Sequence, residues 1–111
     1  MEVTKKEVTA RGIKLTYHEG GEEIARVRLY ILPNDLHEAP FCFIEDVFVN
    51  KQYRGRGFGT QIVSEALKEA KARGCYKVIC TSRFVKTRVH EMYERIGFSR
   101  QGIEFRLDLN S

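Results

Sequence analysis

Val47-Phe48-Val49-Asn50-Lys51-Gln52-Tyr53-Arg54-Gly55-Arg56-Gly57-Phe58-Gly59-Thr60 is the stretch that decides the fold. An apolar strand pattern ends at Val49, glycines follow at 55, 57 and 59, and a helical period opens at Phe58. A strand that runs through glycines into a helix makes an anion cradle. Glycine lets the backbone approach a ligand without a Cβ clash. The first N–H groups of a helix lack internal partners, and the helix dipole favours negative charge there. Arg54 and Arg56 add positive charge at the same place, and Thr60 adds a hydroxyl. The matching ligand is a phosphate or pyrophosphate.

Downstream, Phe58, Ile62, Val63, Ala66, Leu67 and Ala70 form one apolar stripe, which predicts a helix from about Phe58 to Arg73, stopped by Gly74. Residues 76–81 read as the next strand, so the strands on either side of this helix run parallel. Upstream, residues 13–18 and 24–32 alternate apolar and polar and are joined at Gly20-Gly21, which predicts a hairpin. Residues 33–40 form a proline-bracketed loop. Residues 41–49 read as a central strand apolar on both faces, broken only by Glu45 and Asp46. An acid on such a strand is costly unless paired or used. A second helix spans about Lys86 to Ile96 and ends at Gly97. Ile103, Phe105, Leu107 and Leu109 alternate with Glu104, Arg106 and Asp108, which predicts a last strand. The class is α/β (α+β): one mixed, mostly antiparallel sheet with a central parallel pair and flanking helices.

The length of 111 residues points to a single domain over 1–111. A net charge of +4 fits an anionic small ligand, a nucleic acid, or simply a lysine-rich surface. Cys42, Cys75 and Cys80 are odd in number and lack C-x-x-C spacing, so neither a metal site nor a disulfide framework is expected. Unpaired thiols suit a reducing cytoplasm. The start reads as no signal peptide, and no apolar run is long enough to span a membrane.

Two familiar phosphate loops fail on spacing. A Walker loop needs lysine after its glycines, and Gly59 is followed by Thr60-Gln61. A dinucleotide fold needs G-x-G-x-x-G and a later acid, whereas this loop is G-x-G-x-G and the next strand ends in Thr81-Ser82-Arg83. A plain glycine turn that starts a helix remains open on spacing alone. The whole run 47–60, however, resembles the acetyl-CoA signature of the GNAT superfamily of N-acetyltransferases: a V-x-V strand, R-x-x-G-x-G/A, then a helix. His90-Glu91-Met92-Tyr93-Glu94-Arg95-Ile96-Gly97-Phe98 resembles that family's Y-E-x-x-G-F segment. Gly74-Cys75-Tyr76-Lys77-Val78 is similar to glucosamine-6-phosphate N-acetyltransferases, and the region from Val89 to Leu107 to aminoalkylphosphonate N-acetyltransferases.

The resemblance implies a GNAT-like fold with reduced N-terminal helices, acetyl-CoA as cosubstrate, and transfer to a primary amine by direct attack in a ternary complex. The donor would be held by Val47, Phe48, Val49, Arg54, Gly55, Arg56, Gly57, Phe58, Gly59 and Thr60. The Val47 N–H would face the oxyanion. Lys86 stands where many relatives carry a pantetheine-contacting asparagine. Tyr93 matches the general acid: a phenol of pKa about 10 can protonate a departing thiolate. Glu45 is the candidate base, placed by period two on the face of Val47; Asp46 points the other way, toward an arginine ion pair or a share in the base role. A non-catalytic acyl-CoA-binding regulatory module is the alternative. Neither a metal, a nucleic acid nor a membrane is expected as a partner. Because the acceptor half is pared down, a homodimer is expected to close it.

Overall fold

The computed structural model describes residues 1–110. In order, its elements are β1 (Arg11–Glu19), β2 (Glu22–Leu32), β3 (Phe41–Val49), a short 3-10 helix (Lys51–Tyr53), α1 (Phe58–Ala72), β4 (Val78–Cys80) and α2 (Thr87–Ile96). One sheet holds the strands in the order β1-β2-β3-β4. The first two pairings are antiparallel and the β3–β4 pairing is parallel. The mixed sheet with its parallel crossover through α1 is the fold expected from the glycine-loop segment. Gly20 and Gly21, with φ of +58° and +79°, make the β1–β2 turn at dihedrals that suit the strand twist.

Cross-strand register fixes the faces. Ala25 lies opposite Val49, Val27 opposite Val47, Leu29 opposite Ile44 and Ile31 opposite Cys42. These eight residues share the face against which α1 packs, through Ile62, Val63, Ala66 and Ala70. Val27, Leu29, Cys42, Val63 and Ala66 have no exposed surface at all. The opposite face carries Arg26, Arg28, Tyr30, Phe43, Asp46 and Phe48. Tyr30 lies across Gly12, where an added Cβ would come within 3.0 Å of its ring, so the glycine on β1 makes room for the aromatic on β2.

Residues Met1–Cys80 form one compact unit, holding the sheet and α1; a second begins at Thr81 and holds α2. The expected last strand is not formed. Residues 101–110 have no regular structure, and Ile103, Phe105, Leu107 and Leu109 are 65%, 90%, 82% and 91% exposed. A strand needs a neighbour for its hydrogen bonds, and among the described residues this segment has none. The strand expected over 76–81 is also shorter, three residues, because it pairs only with Cys42–Ile44. The parallel pair therefore lies at one side of the four strands.

Candidate functional site

The two acids on β3 separate in role. Arg28 lies opposite Asp46 and Leu29 opposite Ile44, so Glu45 is the extra residue of a β-bulge. The bulge takes Glu45 out of the alternation, and a two-residue step no longer places it on the face of Val47. Glu45 is exposed, and among the described residues it has no ion-pair partner. Asp46 does point away from Val47, as expected. Its Oδ2 accepts from Arg26 Nε at 2.7 Å and from Arg28 Nη1. Arg26 reaches on to Glu23 at 3.1 Å, and Lys14 meets Glu23 at 2.8 Å. The Arg26 hydrogen bond holds the Asp46 carboxyl below its usual range, with the Arg26 and Arg28 charges acting in the same direction. Asp46 is thus a paired structural acid, and the exposed bulge leaves Glu45 as the acid open to solvent.

The bulge also restores the phase of β3. Cys42 and Ile44 face the core, then a three-residue step brings Val47 and Val49 onto the same face. The Asn50 N–H donates to Ile24 O at 2.8 Å, toward β2. Alternation then turns the N–H groups of Val49 and Val47 to the other edge. That edge is open beyond Ile44, because β4 pairs with nothing past Cys42–Ile44. Val47 and Val49 therefore offer backbone donors on an unpaired stretch of strand, where an extended amide-bearing chain can add as a further strand.

The glycine loop follows directly. Asn50 opens the 3-10 helix: its Oδ1 accepts from Gln52 N–H at 3.2 Å and its Nδ2 donates to Glu22 at 3.0 Å. Arg54 Nε donates to Val49 O at 2.9 Å, strapping the loop to the strand it left. The Arg56 guanidinium lies 5.4 Å from the Tyr53 ring centroid. Gly55 and Gly57 have φ of +80° and +84°, the left-handed region that side chains disfavour. Gly57 is the N-cap of α1 and has no side chain to cap it, so the first-turn N–H groups of Phe58, Gly59 and Thr60 lack a capping side chain. Phe58 anchors the helix start, its ring 6.2 Å from both Tyr17 and Tyr53 in edge-on geometry. An uncapped helix N-terminus beside two arginines fits a phosphate-bearing ligand.

In the second unit, Lys86 is the N-cap of α2 and is exposed. His90 Nε2 hydrogen-bonds Arg83 O at 2.8 Å, which ties the turn before α2. Tyr93 is the buried residue of that helix, 8% exposed. The helix ends with Phe98 N–H donating to Tyr93 O at 3.0 Å and Gly97 N–H to Glu94 O at 3.1 Å, a Schellman motif with Gly97 at φ +125°. Phe98 folds back onto the Tyr93 ring, centroids 5.4 Å apart. The Tyr93…Gly97-Phe98 spacing is thus a device that ends the helix and fixes the tyrosine ring. The structure brings Val47, Phe48, Val49 and residues 54–60 together as one strand–loop–helix unit, with Glu45 in the bulge just before it. Sequence reasoning missed the bulge, the Arg54 strap and the Asn50 cap. The three-residue step between Ile44 and Val47 in the apolar pattern was the available signal for the first.

Comparison with known proteins agrees with this geometry. A model of the acetyltransferase (GNAT) family matches residues 6–98. The glucosamine 6-phosphate N-acetyltransferase of Trypanosoma brucei brucei is 38% identical over 66 residues, 60% of this chain and 43% of that protein. The chain therefore spans less than half the length of that relative. A putative acetyltransferase from Agrobacterium tumefaciens superposes with a TM-score of 0.77 at 34% identity, covering 84% of this chain and 65% of the other. The glucosamine-6-phosphate N-acetyltransferase of Arabidopsis thaliana gives a TM-score of 0.80 at 27% identity, over 89% of this chain and 67% of its own. With its glycine loop, its open strand edge and most of its length within the family's match, the chain belongs to the GNAT family of acetyltransferases.

Proposed function

We propose that this chain is an acetyl-CoA-dependent N-acetyltransferase acting on a primary amine. The observation that carries the reading is the continuity of three features: the open edge of β3 at Val47 and Val49, the glycine loop, and the uncapped start of α1. The pyrophosphate of the donor is assigned to the backbone of Gly55, Gly57, Phe58, Gly59 and Thr60, with Arg54 and Arg56 beside it. The pantetheine amides are assigned to the backbone of Val47, Phe48 and Val49.

In the reaction, the amine nitrogen attacks the acetyl carbonyl, the C–N bond forms and the C–S bond breaks. The Val47 N–H donates to the developing oxyanion. Glu45, exposed in its bulge, accepts the amine proton directly or through water. Tyr93 supplies the proton to the departing thiolate. Lys86 is assigned to the donor phosphates. The first acceptor to test is glucosamine 6-phosphate, because relatives carry that activity in their names.

Thiol release from acetyl-CoA, read across amino-sugar phosphates, polyamines and peptide amines, tests the proposal. Turnover with at least one acceptor supports it. Acetyl-CoA binding with no turnover on any of these classes would favour the regulatory-module reading instead.

A further inference from the structure

The segment 101–109 is the largest unexplained surface of the chain. Four large apolar side chains, Ile103, Phe105, Leu107 and Leu109, lie 65–91% exposed on a strictly alternating pattern. Alternation is the signature of a strand with one covered face, and the segment has no partner strand among the described residues. Its polar positions carry Glu104, Arg106 and Asp108, and the ion pair there, Arg106 to Asp108 at 2.8 Å, is largely exposed. Such a pair contributes little, so it does not oppose a change of partner.

The order of charges restricts which partner fits. Opposed like charges destabilise a strand pair, and opposed unlike charges stabilise it. A parallel in-register pair of two such segments sets Glu104 on Glu104 and Arg106 on Arg106. An antiparallel pair centred on Arg106 sets Arg106 on itself and Glu104 on Asp108. A pair centred on Glu104 sets that acid on itself. Any register displaced by an odd number of residues puts apolar positions opposite charged ones. The antiparallel pair centred on Phe105 is different: Phe105 meets Phe105, Ile103 meets Leu107, and Glu104 meets Arg106 at both ends. A pair centred on Leu107 is also charge-matched, through Arg106 and Asp108, but it sets Ile103 opposite the last residue of the sequence. The Phe105-centred register covers more apolar surface.

We infer that residues 101–109 are a self-complementary strand through which two copies of this chain associate, antiparallel, about a two-fold axis at Phe105. Such isologous contacts are the ordinary form of a homodimer. A two-stranded ribbon is only marginally stable in water, so the association is weak, with a dissociation constant in the micromolar range. The inference is independent of the donor-site reading, since the segment carries none of the residues assigned there.

Sedimentation velocity on the full chain, over roughly 1 to 200 micromolar, tests it. The wild type is expected to pass from monomer to dimer within that range. Glu104→Arg and Arg106→Glu each set like charges opposite one another and are expected to weaken dimerisation about tenfold. The double exchange is expected to restore it to within about threefold. All of these sites are exposed, so far-UV circular dichroism should match the wild type. Register is read separately in a background with Cys75 and Cys80 changed to Ser. There, Phe105→Cys should form a covalent dimer on mild oxidation, because facing antiparallel positions lie within disulfide reach. Ile103→Cys should not. A wild type that stays monomeric throughout, an exchange that fails to restore association, or equal cross-linking at both cysteines would overturn the proposal.

Discussion

Asp46 and Glu45 stand side by side on one strand, yet their surroundings give them different chemistry. Asp46 is half-buried and shared by Arg26 and Arg28, with Arg26 also holding Glu23. Because its pKa is lowered in the folded state, it stabilises the fold above the ordinary carboxylate range of about 4 and loses that contribution as pH falls through the folded value. Asp46→Asn should therefore cost on the order of 1 kcal/mol at pH 7, after allowing for solvent screening. The difference from wild type should close below about pH 3; thermal melts across pH would show it. Glu45→Gln should leave the melt unchanged and remove the acidic limb of the pH–rate profile. A retained acidic limb would exclude Glu45 as the base. Tyr93→Phe should lower turnover by about 100-fold or more with acetyl-CoA affinity little changed, since the phenyl ring keeps the packing against Phe98. Cys42 is fully buried, and burial pushes its thiol up to about 11. In the native protein it should resist alkylation at pH 8, while a thiol count in denaturant recovers it.

At the scale of elements, the strand–loop–helix unit was legible because each part is local. Apolar alternation, positive-φ glycines and a helical stripe act over a few residues, and their spacing survives folding unchanged. The bulge at Glu45 was not read, because a bulge is defined by the opposite strand: the slip exists only once Arg28 pairs with Asp46 and Leu29 with Ile44. The segment 103–109 shows the reverse. Its alternation was read correctly as strand propensity, but a strand forms only beside a partner, and none lies among the described residues. The roles of Arg54 and Asn50 were hidden for a related reason, since their hydrogen bonds run to a strand end and to Glu22 across the turn. Gly57→Ala tests the loop as an element. At φ +84° a Cβ costs about 1 kcal/mol, and no atom lies near enough to clash. The variant should fold with a slightly lower melting point and bind acetyl-CoA markedly more weakly, as isothermal titration calorimetry would record.

The whole molecule has a small apolar centre with a donor cradle at its rim. Leu29, with no exposed surface, sits where the sheet meets α1, so Leu29→Ala should cost about 2–5 kcal/mol and lower the melting temperature without any specific effect on donor affinity in the fraction that stays folded. The glycine loop, the open edge of β3 and the family match converge on one claim, that this chain holds an acyl-CoA. Titration calorimetry of the wild-type chain with acetyl-CoA tests that claim most directly. The account predicts saturable binding at one donor per chain, competed by CoA and weakened by Gly57→Ala. A folded wild-type chain that takes up no heat and gains no thermal stability at millimolar acetyl-CoA would contradict it.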